Sequence, residues 1–149
     1  MTDARDLPKE LCRGVCRALA QRGFATLVEV PLANGRRADV LAVGRDGELV
    51  VVEIKSSVAD FKGDRKWQEY RAFCDRLYFA VASDFPPELI PDECGLIIAD
   101  PFGAAILRKG AALPLAAARR RAMLLRFAAI AAGRLRRLTD PGIDDPELG

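Results

Sequence analysis

The stretch Arg36–Ser57, RRADVLAVGRDGELVVVEIKSS, reads as two strands around a tight turn. Arg37 to Val43 is one strand, Arg45-Asp46-Gly47 the turn, and Glu48 to Lys55 the next strand, with Leu49-Val50-Val51-Val52 as its apolar run. Side chains alternate along a strand, so Glu53 and Lys55 share one face and Ile54 takes the other. Val50, Val52 and Ile54 are then expected to face a helix layer, with Val51, Glu53 and Lys55 opposite. The hairpin brings Asp39 alongside. Two carboxylates and an ammonium are costly to place beside a core. Mg²⁺ prefers oxygen ligands, keeps several waters, and usually takes one or two carboxylates. Asp39 and Glu53 are candidate ligands for Mg²⁺ (or Mn²⁺), with the Ile54 carbonyl as a further oxygen. Lys55 could orient a metal-activated water or stabilise developing charge. The bland alternative is an exposed Glu–Lys pair of small energetic worth.

Outward from the hairpin, Pro8 to Arg22 is expected to form an amphipathic helix with Leu11, Val15 and Leu19 on one stripe, ended by Gly23. Phe24 to Leu32 reads as a first strand, joined to the second by Asn34-Gly35. After the hairpin, Ser56, Ser57 and Asp60 shape a turn into a helix over Asp64 to Asp75. Leu77 to Ala82 and Gly95 to Ala99 read as strands, and Ala104 to Arg108 pairs with the latter across a turn. Ala116 to Leu138 is a long final helix. The order predicts one α/β domain over residues 1–138 with a mixed sheet, and an acidic, flexible tail over 139–149.

The chain has 149 residues, half of them apolar and 30% charged, which suits one globular domain with its own core. The net charge of +2 hides an asymmetry. The final helix carries Arg119, Arg120, Arg121, Arg126, Arg134, Arg136 and Arg137 without an acid, and Asp140, Asp144, Asp145 and Glu147 follow. No apolar leader or membrane-length run is visible, so a cytoplasmic location and no membrane partner are expected. Cys12, Cys16, Cys74 and Cys94 include no CxxC pair and are expected to be free thiols. With no histidine in the chain, His-based triads and His-ligated zinc are excluded.

Ala38-Asp39 followed by Glu53-Ile54-Lys55 resembles the D…ExK signature of the PD-(D/E)XK nuclease superfamily. The longer blocks RRADVLAV, GELVVVEIKSS, DRKWQEY, CDRLYFAV and RRRAMLLRFA resemble the MmcB-like DNA repair family within it. That resemblance implies a restriction-endonuclease-like core, a mixed sheet of four to five strands flanked by helices. It also implies metal-dependent cleavage of DNA phosphodiester bonds in repair. Asp39 and Glu53 would ligate the metal and Lys55 would be the catalytic lysine. Relatives often add a glutamate from the first helix, here Glu10, with Glu29 on the first strand as a rival. Gln68 resembles an accessory polar residue.

Arg37, Lys66, Arg119, Arg120 and Arg126 are candidate phosphate contacts. Trp67 and Tyr70 either stack on a base or pack their helix on the sheet. Expected partners are DNA, a second copy in a homodimer, and DNA repair proteins. A nucleic-acid-binding or adaptor module that keeps the fold without cutting is the competing reading.

Overall fold

The computed structural model describes residues 6–142. Six strands lie in chain order across one sheet: β1 (Ala25–Pro31), β2 (Arg37–Val43), β3 (Leu49–Ile54), β4 (Arg76–Val81), β5 (Gly95–Ala99) and β6 (Ala104–Arg108). The β1–β2, β2–β3 and β5–β6 pairs are antiparallel, and β3–β4 and β4–β5 are parallel. The mixed α/β sheet and long final helix match the expected class. The expectation of four to five strands is corrected to six, because Ala104–Arg108 pairs with β5, with a register shift between Leu96 and Ile97.

Helix α1 (Leu7–Gln21) covers one face of the sheet. Leu11, Val15 and Leu19 pack there against Val40, Val50, Val52 and Ile54. The other face carries Val51, Leu77 and Phe79 and is covered by α2 (Val58–Gly63), a 3₁₀ helix (Trp67–Phe73) and α3 (Ala117–Thr139). All six residues of β3 are buried, as expected for a central strand covered on both faces.

The segment after β3 departs from the sequence reading. An α-helix over Asp64–Asp75 was expected; the chain instead forms α2 and then the 3₁₀ helix. Ser57 caps α2 by accepting a 3.0 Å hydrogen bond from the Asp60 N–H. The buried residues of the second piece are Trp67, Tyr70 and Phe73, three apart. A period of three places all of them on one side of a 3₁₀ helix. Trp67 and Phe61 pack edge-on against Phe79, with ring centroids 5.6 and 5.3 Å away, so Trp67 serves the core.

The β5–β6 turn meets α1 at Gly14. A Cβ there would lie 1.8 Å from the Asp100 oxygen and 2.5 Å from that of Gly103, both backbone atoms. Helix propensity alone favours alanine over glycine by about 1 kcal/mol. The close approach reverses the sign: Gly14→Ala is expected to destabilise by about 3 kcal/mol or more in urea unfolding.

Arg119, Arg120, Arg126 and Arg134 of α3 reach back to the body of the protein, while Arg121, Arg136 and Arg137 are exposed. Arg120 forms a two-pronged ion pair with Asp75, both contacts at 2.6 Å, and also donates to the Gly47 carbonyl. Arg119 lies 4.7 Å over the Phe73 ring and donates to Ala72 O. Arg126 donates to Pro31 O, and Arg134 to Val28 O and Glu29 O, all on the edge strand β1. At Arg120, a candidate phosphate contact, the guanidinium is bonded to Asp75 and to the Gly47 carbonyl within the protein. Arg119 and Arg126 are likewise tied to backbone carbonyls. The four cysteines are free thiols. Among the described residues no helix is long and apolar enough to cross a membrane. Of the expected tail, residues 143–149 lie outside those described.

Candidate functional site

The β2–β3 ladder runs from Val43↔Leu49 to Val40↔Val52 and stops there. Beyond that point β2 stays paired with β1 through Pro31↔Arg37, and β3 stays paired with β4 through Ile54↔Ala80. The two strands therefore fork, and Asp39 and Glu53 stand at the fork. Side chains replace the missing ladder bonds. The Asp39 N–H donates to Glu53 Oε2 at 2.9 Å, and the Ile54 N–H donates to Asp39 Oδ2 at 2.8 Å. Each acid thus holds the other's strand, which fixes both rotamers.

Glu53 is only 4% exposed. Burial, and then the charge of Asp39, push its carboxyl up to about 8. Burial also raises Asp39, against the pull of the Ile54 N–H and of Lys55. Two like-charged groups taken out of water disfavour joint ionisation. Tyr70 stands over them. Its hydroxyl donates to Arg37 O at 3.1 Å, and it lies near enough to the Glu53 carboxyl for the two groups to influence each other's ionisation. Burial, followed by the Glu53 charge, raises the Tyr70 hydroxyl.

Lys55 follows on the same face of β3 as Glu53 and is buried. Its ammonium meets Asp64 Oδ2 at 2.7 Å. Burial opposes ionisation of Asp64, but Lys55 and the Lys66 N–H hold its carboxyl below the usual range. Asp64 Oδ1 takes that N–H at 3.0 Å, so one side chain ties the lysine to the entry of the 3₁₀ helix.

Asp39, Glu53, Ile54 and Lys55 are therefore brought together. Ile54 contributes its N–H to the described contacts. Arg37 is exposed, two residues before Asp39 on β2, and its charge is felt by Asp39. Glu29 lies on β1 across from Asp39, between Val28↔Val40 and Val30↔Ala38. It is exposed, with a left-handed backbone at φ 49. Glu10 sits in the first turn of α1, on the opposite face, with no described bond to either acid. Gln68 and Lys66 are exposed on the segment beyond Asp64. Asp64 and Tyr70 were missed as site residues: Asp64 read as a helix start, and Tyr70 as packing or a base platform. Tyr70's aromatic character was a signal for burial, and its hydroxyl was the signal that burial would need a polar partner.

The donor set suits a hard divalent cation. Both acids offer oxygen, each uses one oxygen on a backbone N–H, and Asp39 Oδ1 accepts no hydrogen bond among the described residues. Positive charge would offset the burial that raises both carboxyls and the repulsion from Asp39 that adds to it at Glu53. Among the described residues no group of three or more His, Cys, Asp or Glu is arranged to hold a metal. Two carboxylates, with the remaining positions left to water, backbone or phosphate, is the usual protein share for Mg²⁺.

A family model described as DNA repair protein MmcB-like matches residues 2–142. No curated protein matches the chain. A solved structure of a protein of unknown function from Silicibacter pomeroyi is 46% identical, with a TM-score of 0.89, covering 94% of this chain and 97% of that one. A repair endonuclease from Pyrococcus abyssi is far more remote, at 19% identity and a TM-score of 0.37, covering 58% of this chain and 40% of that one.

Proposed function

Because the chain belongs to the MmcB-like family of DNA repair proteins, we propose that it is a metal-dependent nuclease that hydrolyses DNA phosphodiester bonds at the β2–β3 fork. The observation that carries this reading is the mutual embrace of Asp39 and Glu53, two acids kept close in a place where their charges repel. Such an arrangement costs folding free energy unless a cation occupies it. The D…ExK resemblance supports the same reading.

Asp39 and Glu53 would hold Mg²⁺. The bound ion would polarise a phosphoryl oxygen and lower the pKa of a coordinated water. The Asp39 N–H fixes the Glu53 carboxyl, and the Ile54 N–H fixes that of Asp39. Lys55 is held on the same face by Asp64, where its ammonium can meet a phosphate oxygen or orient the attacking water.

The test is incubation of purified protein with single-stranded, duplex, flapped and branched DNA in Mg²⁺ or Mn²⁺. Asp39→Ala is expected to lose at least about 10²-fold in cleavage rate while keeping a cooperative unfolding transition. If the wild type cuts none of these substrates, the nuclease reading fails for them. One observation favours the non-cutting alternative: the Lys55 ammonium is already satisfied by Asp64. DNA binding that ignores both metal and Glu53→Gln would select that alternative.

A further inference from the structure

The two long helices use their cations differently. On α3, Arg119, Arg120, Arg126 and Arg134 are bonded to the body of the protein. On α1, Lys9, Arg13 and Arg17 are exposed, and none makes an ion pair or hydrogen bond among the described residues. Steps of four stack these three on one line about 12 Å long, on the side of the helix away from Leu11, Val15 and Leu19. Like charges at that spacing destabilise a helix. Lys9 also lies in the first turn, where the helix dipole favours an anion. The one acid within the helix, Glu10, is half-buried and pairs with none of the three. A bound polyanion would offset the repulsion.

The rest of the outer face selects the partner. The exposed residues of α1 are Pro8, Lys9, Arg13, Arg17, Ala20 and Gln21, without one large apolar side chain. A membrane-surface helix needs an apolar face to insert, and a protein interface needs an apolar or aromatic centre. Contact through cations alone suits the evenly charged backbone of a nucleic acid. The line is also placed to serve the fork. Gly14, midway along α1, abuts the β5–β6 turn, which lies at the end of the sheet where β3 delivers Glu53. Cys16 beside it and burial, then the charges of Asp39 and Glu29, raise the Cys12 thiol, so this turn of the helix is within electrostatic reach of the fork.

We propose that Lys9, Arg13 and Arg17 form a phosphate-contacting rail on the outer face of α1, which holds the backbone of the DNA whose scissile bond is presented at the fork. The inference rests on the reading of DNA as the substrate, and it deepens that reading by placing the binding surface on the opposite side of the sheet from α3. The strand would pass around the end of the sheet between rail and fork.

The test measures binding of labelled duplex and single-stranded DNA to the full chain by fluorescence anisotropy, without divalent metal and over a range of salt. The triple variant Lys9→Ala, Arg13→Ala, Arg17→Ala is expected to bind at least about 10-fold more weakly at low salt. Its slope of log affinity against log salt should be shallower by about one for each cation removed. Its thermal midpoint should not fall, because the three side chains have no partner and alanine favours the helix. The charge-keeping variant Arg13→Lys, Arg17→Lys should bind as the wild type does. Removing two exposed cations elsewhere, Lys109→Ala with Arg121→Ala, should leave affinity within about twofold. Unchanged affinity and slope in the triple variant overturn the proposal, as does a wild type that binds neither DNA at low salt. A wild type that cuts DNA with Mg²⁺ while the triple variant keeps full affinity sinks the rail alone. Weakened binding in the triple variant, with no cleavage by the wild type, upholds the rail and sinks the nuclease reading.

Discussion

Asp75→Ala is expected to destabilise the fold by about 3–5 kcal/mol, the usual cost of removing one partner from a buried ion pair. Asp75 is 7% exposed and accepts four hydrogen bonds: two from Arg120, one from the Leu49 N–H and one from the Leu115 N–H. Its own backbone N–H and carbonyl are bonded to Leu49 and Leu113. One residue thereby joins the start of β3, the start of α3 and the extended segment leading into that helix. Without the carboxylate, two backbone donors lose their acceptor in a buried place, and the part-exposed Arg120 guanidinium loses its partner. The pH dependence has a definite sign. Burial works against the Asp75 charge, but Arg120 and the two N–H groups prevail and hold the carboxyl at about 2, below its ordinary 3.8. A depressed acid contributes stability above its unfolded pKa and loses it as pH falls through the folded value. The contribution is about 2 kcal/mol and should vanish between about pH 4 and pH 2. Urea unfolding across that window should lose this component in Asp75→Asn. An unchanged acid limb in that variant would falsify the assignment.

Glu53→Gln is expected to remove divalent-metal binding and cleavage together. Changes to groups that merely orient metal ligands cost about 10–100-fold in affinity, so loss of a ligand should cost more. Glutamine keeps the oxygen that accepts from the Asp39 N–H, so the fork should survive. Metal-free stability should respond in the opposite sense to Asp75. Burial and Asp39 raise the Glu53 carboxyl to about 8 from 4.5. A raised acid contributes most below its unfolded pKa, and the contribution is lost as pH rises through the folded value. The metal-free wild type should therefore lose thermal stability from about pH 5 to pH 9, and Glu53→Gln should lose much less. Mn²⁺ should restore the wild type most at alkaline pH, and its binding should release protons in calorimetry. If the glutamine variant binds Mn²⁺ as the wild type does, Glu53 is not a ligand.

The hairpin was legible because two rules agreed on it. Alternation placed Glu53 opposite Ile54, and turn residues at Asn34-Gly35 and Arg45-Asp46-Gly47 set the register, with Gly35 and Gly47 at φ 84 and 87. Trp67, Tyr70 and Phe73 misled because spacing by three satisfies an α pattern over a short window as well as a 3₁₀ one. The arginines of α3 misled for a different reason. Whether a guanidinium meets phosphate or the protein's own carbonyls depends on what lies beside the helix, and Asp75, Pro31 and Val28 are 45, 95 and 106 residues from their partners. The Lys55–Asp64 and Tyr70–Arg37 contacts depend on the same tertiary placement.

The reach of Arg126 and Arg134 to β1 bears on how the protein is born. β1 is synthesised early and lies at a border of the sheet, where its carbonyls at Val28, Glu29 and Pro31 remain open to any passing strand. The side chains that occupy them arrive about a hundred residues later. A nascent chain on the ribosome, with its hairpins formed and its last helix unmade, carries an unguarded template for strand addition. Helix α3 thus works as a bolt on the sheet, and it is shot only once that helix has been made.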